Sequence, residues 1–212
     1  MKADIVCEGG GVKGIALLGA IYYLEEKGYT FQNFAGTSAG AIVSSLLAVG
    51  YTGKELKELL LNIKFTDFYE KNKLSLLPFI GPTISLFKNK GLFSGNNIEE
   101  YLNKLYKAKG KHKFKDIAVN GKSPLKVIAS DVTNKKLLVL PDDLKNYNID
   151  PLEFEIAKAV RMSISIPFYF NPVILKYGKE SSYIVDGGIF SNFPICLFDV
   201  DGSPKWPTIG LK

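Results

Sequence analysis

Two glycine-framed turns near the start of the chain, Gly9-Gly10-Gly11-Val12-Lys13-Gly14 and Gly36-Thr37-Ser38-Ala39-Gly40, lie one strand-and-helix unit apart. Each follows a short apolar run, Asp4 to Cys7 for the first and Phe31 to Ala35 for the second. Each also precedes a helical run. Ala39 to Val49 has the length and apolar content of a buried helix ended by Gly50. In the second turn, glycines two residues either side of a serine permit a sharp strand-to-helix reversal that a Cβ would obstruct. Such a reversal leaves the Ser38 hydroxyl exposed. The plainer reading, a glycine-rich turn with an N-cap serine, fits this motif taken alone.

The first turn is ambiguous by itself, because Gly9, Gly11 and Gly14 also satisfy the Gly-x-Gly-x-x-Gly dinucleotide fingerprint. A dinucleotide site wants an acidic residue at the end of the next strand to bind the ribose. Phe31 to Ala35 carries none and runs into the serine turn. A phosphate-binding P-loop needs Ser or Thr after the lysine, and Lys13 is followed by Gly14. What is left is a run of backbone N–H groups at a helix N-terminus, a fixed positive site suited to the oxyanion of acyl transfer. A Rossmann-like nucleotide-binding protein stays open as the alternative, as does a non-catalytic lipid-binding module.

Strands and helices alternate along the rest of the chain. A helix is expected over Val12 to Lys27, with Ile15, Leu18, Ile21, Tyr22 and Leu24 on its apolar face and Gly28 ending it. Others are expected over Gly53 to Asn62, Asn96 to Lys107 with Ser94 as N-cap, and Pro151 to Met162. Leu125 to Ala129, Lys136 to Leu140 and Ser182 to Val185 read as strands, and Pro207 to Lys212 as the start of another, which hints at a clipped polypeptide. This alternation predicts one domain over residues 1–212, a largely parallel sheet covered by helices on both faces. Leu74 to Phe87 breaks the pattern: it is apolar, yet Pro78, Gly81 and Pro82 prevent a continuous helix. With Lys71, Lys73, Lys88 and Lys90 around it, it reads either as a lid that touches anionic headgroups or as irregular cover for the core.

Composition narrows the function classes. Two separated cysteines and one histidine cannot make a zinc cluster, and Cys7 and Cys196 read as buried, reduced thiols. No apolar run is long enough to span a bilayer, and the first strand begins too near Met1 for a signal peptide, so the expected location is cytoplasmic or peripheral to a membrane, with leaderless export left open. The net charge of +6 gathers in lysines between Lys104 and Lys115, and no nucleic-acid module accompanies it.

A serine nucleophile needs a base. His112 lies between Lys111 and Lys113, whose charges oppose the imidazolium that a histidine base becomes. Asp186 is the better candidate: it follows an apolar strand and precedes Gly187 and Gly188, which puts a carboxylate on a tight turn at a strand end.

These three marks, in this order, resemble the patatin-like phospholipases and acyl hydrolases: Gly9 to Gly14, Gly36 to Gly40, and Asp186-Gly187-Gly188. Ala159 to Pro167 is similar to the family's helix-and-loop segment ending in Ile-Pro, with Met162 where a small residue is usual. The resemblance implies a three-layer α/β/α fold with a largely parallel central sheet. It implies Ser38 as nucleophile, Asp186 as base of a dyad without histidine, and an oxyanion hole from the amides of Gly10 and Gly11. It further implies hydrolysis of phospholipid or another fatty-acyl ester, with no cofactor or metal.

Overall fold

The computed structural model describes residues 1–11, 14–62 and 90–212. The chain opens with β1 (Lys2–Cys7), enters α1 (Gly14–Glu26), and returns along β2 (Thr30–Thr37) parallel to β1. All residues of β1 after Lys2 are buried, as expected of a strand covered on both faces. From β2 the chain turns at once into α2 (Ala39–Ala48), which is apolar on every side and buried over most of its length. Its two interior serines are satisfied: Ser44 donates to the Ala35 carbonyl at 2.7 Å, and Ser45 meets the Tyr106 hydroxyl at 2.7 Å. α3 (Gly53–Asn62) packs on α1.

The second half supplies β3 (Gly91–Phe93), α4 (Asn96–Ala108), β4 (Leu125–Asp131), β5 (Lys136–Leu140), α5 (Ile156–Ser163), β6 (Phe168–Phe170), β7 (Val173–Tyr177), β8 (Glu180–Asp186) and β9 (Thr208–Leu211). β3 and β6 form a small parallel sheet of their own. The large sheet runs β7-β8-β4-β2-β1-β9, with β5 also paired to β4.

How β4 is shared decides the architecture. β5 pairs with it over Val127–Asp131, β2 over Leu125–Ile128 and β8 over Ala129–Asp131. A strand has two edges, and β5 occupies one of them over residues that overlap both of the other ranges. β2 and β8 therefore follow one another along the opposite edge. β2 is parallel to β4 and β8 antiparallel, so their carboxyl ends meet head to head, with Thr37 opposite Ile128 and Asp186 opposite Ala129.

The β9, β1, β2 and β4 strands form the parallel part anticipated from the alternation of elements, while β5, β7 and β8 make the sheet mixed. The connections explain this. β4 to β5 and β7 to β8 are joined by short turns, which only antiparallel neighbours allow.

Local differences from expectation have local causes. The last of the large helices starts at Ile156 and not near Pro151, because Phe154 and Leu152 use their carbonyls to accept from Phe114 and Lys115. α4 is capped by Gly95, in a left-handed conformation at φ 73°; a Cβ there would strike the Arg161 guanidinium. Ser94 instead accepts from Asn96 N at 3.3 Å. On α1 the buried residues are Leu17 and Ile21, and Ile15 is exposed. The expected lid, Leu74 to Phe87, lies outside the described residues, as do Val12 and Lys13.

Candidate active site

Ser38 holds the turn between β2 and α2 at φ 53°, ψ −122°, a backbone region costly for any residue with a side chain. The surroundings enforce it. A Cβ on Gly36 would run into the Gly40 carbonyl and come within 2.7 Å of Ala41 N; one on Gly40 would strike the Cys7 carbonyl at the end of β1 and lie 2.6 Å from Glu8 O. The two framing glycines thus let the turn fold back on itself and settle against β1. Three hydrogen bonds fix what remains: Ser38 N–H donates to the buried Ser163 hydroxyl at 2.9 Å, Thr37 Oγ1 donates to Ser191 O at 2.9 Å, and Ala41 N–H donates to Ser38 O at 2.9 Å.

Asp186 arrives from the other direction, at the end of β8. Its N–H donates to Ser165 O at 2.9 Å, and its Oδ1 accepts from Gly188 N–H at 2.8 Å. Gly187 brings the chain against β4 so tightly that a Cβ would collide with the Ile128 carbonyl. Oδ2 is buried and has no hydrogen-bond partner. Burial pushes the Asp186 carboxyl above the ordinary carboxylate range, and the neighbouring Ser38 hydroxyl and the Gly188 N–H offset only part of that rise. The Ser38 hydroxyl beside the carboxyl favours its ionised form. A desolvated carboxylate oxygen with a free lone pair beside a serine hydroxyl has the chemistry of a proton acceptor.

The glycine loop comes third. Gly9 N–H donates to Asn192 O at 2.9 Å and is not available to a ligand. Gly10 and Gly11 are exposed, and Gly11 has φ 54°. Among the described residues their amides meet no acceptor. Gly14 opens α1, and a Cβ on it would make only an ordinary 3.6 Å contact with Ala39. The turn at Ser38 occupies the strand end where a dinucleotide site would carry its ribose-binding acid.

Other sequence candidates lie elsewhere. His112 Nδ1 is 3.3 Å from Asp116 Oδ2, and its N–H donates to the same oxygen at 2.9 Å. The Asp116 carboxyl is raised by burial, but the backbone N–H groups of His112 and Lys113 outweigh that and hold it below its usual value. His112 O also accepts from Ile156 N at 2.9 Å, so the residue fastens the start of α5. Within the lysine cluster, Lys109 pairs with Glu55 at 2.7 Å, and Lys113 and Lys115 both pair with Glu153. Cys7 is buried as expected, with its thiol pushed up to about 11 by burial; Cys196, expected to be buried, is exposed on a short 3-10 turn, Ile195–Phe198. Among the described residues no group of three His, Cys, Asp or Glu is placed to hold a metal, and no helix is long and apolar enough to cross a membrane.

Three supporting residues were not anticipated. Ser163 holds the Ser38 amide. Arg161, 3% exposed, donates to Asn171 O at 2.8 Å, to Ser94 O and to Ser165 Oγ, and burial brings its guanidinium down to about 10. Asn192 touches the glycine loop. The cues to the first two were polar residues within an otherwise apolar helix, Ala159-Val160-Arg161-Met162-Ser163, and the likeness of that segment to the family's helix and loop.

Against known proteins, the family profile described as patatin-like phospholipase matches residues 5–199. The uncharacterized protein YqhO of Bacillus subtilis strain 168 is 45% identical over 212 residues, covering 100% of this chain and 71% of its own length. The probable lipid hydrolase 463L of Invertebrate iridescent virus 6 is 32% identical over 195 residues, 90% of this chain and 61% of its own length. Among solved structures, VipD from Legionella pneumophila aligns over 98% of this chain and 49% of its own, with a TM-score of 0.60 and 20% identity. ExoU, in its complex with SpcU from Pseudomonas aeruginosa, aligns over 78% of this chain and 38% of its own, with a TM-score of 0.55 and 21% identity. At such identities the likeness to the two structures is one of fold.

Proposed function

The chain belongs to the patatin-like phospholipase family, and from that premise we propose that it hydrolyses fatty-acyl esters of phospholipids through Ser38 and Asp186. The observation that carries the reading is the buried, unpartnered Asp186 Oδ2 beside Ser38, at the point where β2 and β8 meet. Ser38 Oγ attacks the ester carbonyl while Asp186 takes its proton. The exposed amides of Gly10 and Gly11 stabilise the oxyanion, and the lysolipid alcohol leaves with the proton from Asp186. Water then attacks the acyl-enzyme, Asp186 again accepting a proton, and collapse releases the fatty acid and restores Ser38.

The substrate class has its own support. Ile166 and Phe168 follow the residue that anchors Asp186, Ile189 and Phe190 follow the Asp186 turn, and all four are exposed, Phe168 at 73%. An acyl chain entering beside the dyad would meet these side chains, and they would favour peripheral contact with a membrane surface.

The test is labelling by a serine-directed fluorophosphonate together with fatty-acid release from phosphatidylcholine vesicles, for the native protein and Ser38→Ala. Both signals are expected in the native protein and neither in the variant, with turnover down about 10⁴-fold or more. Vesicle binding without labelling or release would instead make the protein a lipid-binding module.

A further inference from the structure

Ser191 and Asn192, adjacent on the segment that leaves the Asp186 turn, reach two other parts of the site. Ser191 O accepts from Thr37 Oγ1 at 2.9 Å, which ties the segment to the residue before Ser38. Asn192 holds Gly9 from both sides: its carbonyl accepts from Gly9 N–H at 2.9 Å, and its Nδ2 donates to Gly9 O at 3.0 Å. Nδ2 also reaches Glu8 Oε1 at 3.3 Å. The other end of the same amide fills the space between the two glycine turns. A Cβ on Gly9 would strike Asn192 Oδ1, and one on Gly188 would lie 3.2 Å from it.

We propose that Asn192 is a positioning residue that sets the glycine loop in register with Ser38. The inference rests on the acyl-hydrolase reading above. With Gly9 engaged through both of its peptide groups, the first free donors are those of Gly10 and Gly11, and their direction follows from the orientation of the Gly9 peptide. An oxyanion hole works only when its donors already point to where charge develops, and a displacement of about 1 Å can cost about a hundredfold in rate. The side chain must supply a donor toward Gly9 O and Glu8, which an amide does. A carboxylate in its place would set like charge against Glu8 and face the Gly9 carbonyl with acceptors alone. Asn192 is itself exposed, so changing it removes little packing.

The experiment compares Asn192→Ala and Asn192→Asp with the native enzyme. In Asn192→Ala, kcat for ester hydrolysis should fall about tenfold to a hundredfold with KM changed less than about twofold, because the donors act on the transition state. Binding of a fatty-acyl trifluoromethyl ketone, whose serine adduct carries an oxyanion, should weaken by a similar factor. Asn192→Asp should be slower still. NMR should show the Gly10 amide nitrogen changing its chemical shift, because Nδ2 no longer bonds the Gly9 carbonyl of the same peptide, while amides in the middle of β1 keep theirs. Unchanged kcat and ketone affinity in an enzyme whose native form turns over would overturn the proposal, as would a loss of activity that tracks the unfolded fraction. Native protein that neither hydrolyses ester nor labels at Ser38 would overturn the acyl-hydrolase reading instead. The Gly10 amide nitrogen still decides the clamp in that case, because it shares a peptide with the Gly9 carbonyl that Nδ2 bonds: an unchanged shift in Asn192→Ala refutes it.

Discussion

Replacing Asp186 by asparagine should trade activity for stability. The native carboxyl is 7% exposed and one of its oxygens, Oδ2, has no partner. Leaving a buried acceptor unsatisfied costs about 1–3 kcal/mol, and more when it is charged. The amide removes the charge but buries two donors of its own, so the net gain in Asp186→Asn at neutral pH is set at about 1–2 kcal/mol. For a chain of this length each kcal/mol moves Tm by about 2–4 °C, which predicts a rise of about 2–8 °C. Burial holds the Asp186 carboxyl above its ordinary range. Its full contribution to stability is therefore present below its unfolded value near 4 and is lost as pH rises through the raised folded value. The melting difference between the two proteins should thus be absent at about pH 4 and open at neutral pH. Hydrolysis should drop at least about 10³-fold, since an amide cannot accept the serine proton. Paired thermal melts from pH 4 to 8, with ester turnover measured on the same samples, decide the matter. An asparagine variant that melts lower at pH 7, shows the same gap at pH 4, or keeps hydrolysing would refute the reasoning.

Gly40→Ala places a methyl against the Cys7 and Glu8 carbonyls, backbone atoms at the end of a central strand that cannot step aside, so a loss of about 3 kcal/mol or more is expected in urea unfolding. His112→Ala should keep most of the esterase activity from pH 5 to 9, because the imidazole is held at Asp116 and contacts no residue of the dyad; an inactive variant would mean that the base has been misassigned.

The sequence shows the turns of this site well and their approach to one another poorly. Gly36 and Gly40 are legible because each admits no Cβ where it stands, a local constraint that surfaces as a motif. Asp186 is legible as a carboxylate at a strand end. The direction of β8 is not, since an apolar run reads the same whether it runs parallel or antiparallel to its neighbour. A largely parallel sheet has its strands pointing the same way, whereas β2 and β8 point at each other. Arg161 and Ser163 look like ordinary polar residues on a short helix until the distant groups they serve, Ser94, Asn171 and the Ser38 amide, are in place. Asn192 is harder still, because nothing local distinguishes an exposed asparagine after a turn.

β4 acts as a ruler for this site. Its Ile128 and Ala129, consecutive residues, measure out where Thr37 and Asp186 stop, so the spacing of the reacting groups is written into one rigid strand. The stretch of chain between β4 and β8 adds a second fixture, since Ser163 holds the Ser38 amide and the Ser165 carbonyl holds that of Asp186. Changes in the chain that leave β4 and these two serines in place are therefore expected to keep the distance from Ser38 to Asp186 the same. A slip of a single residue along β4 would instead displace one group from the other by about 3.3 Å and turn its side chain to the opposite face of the sheet.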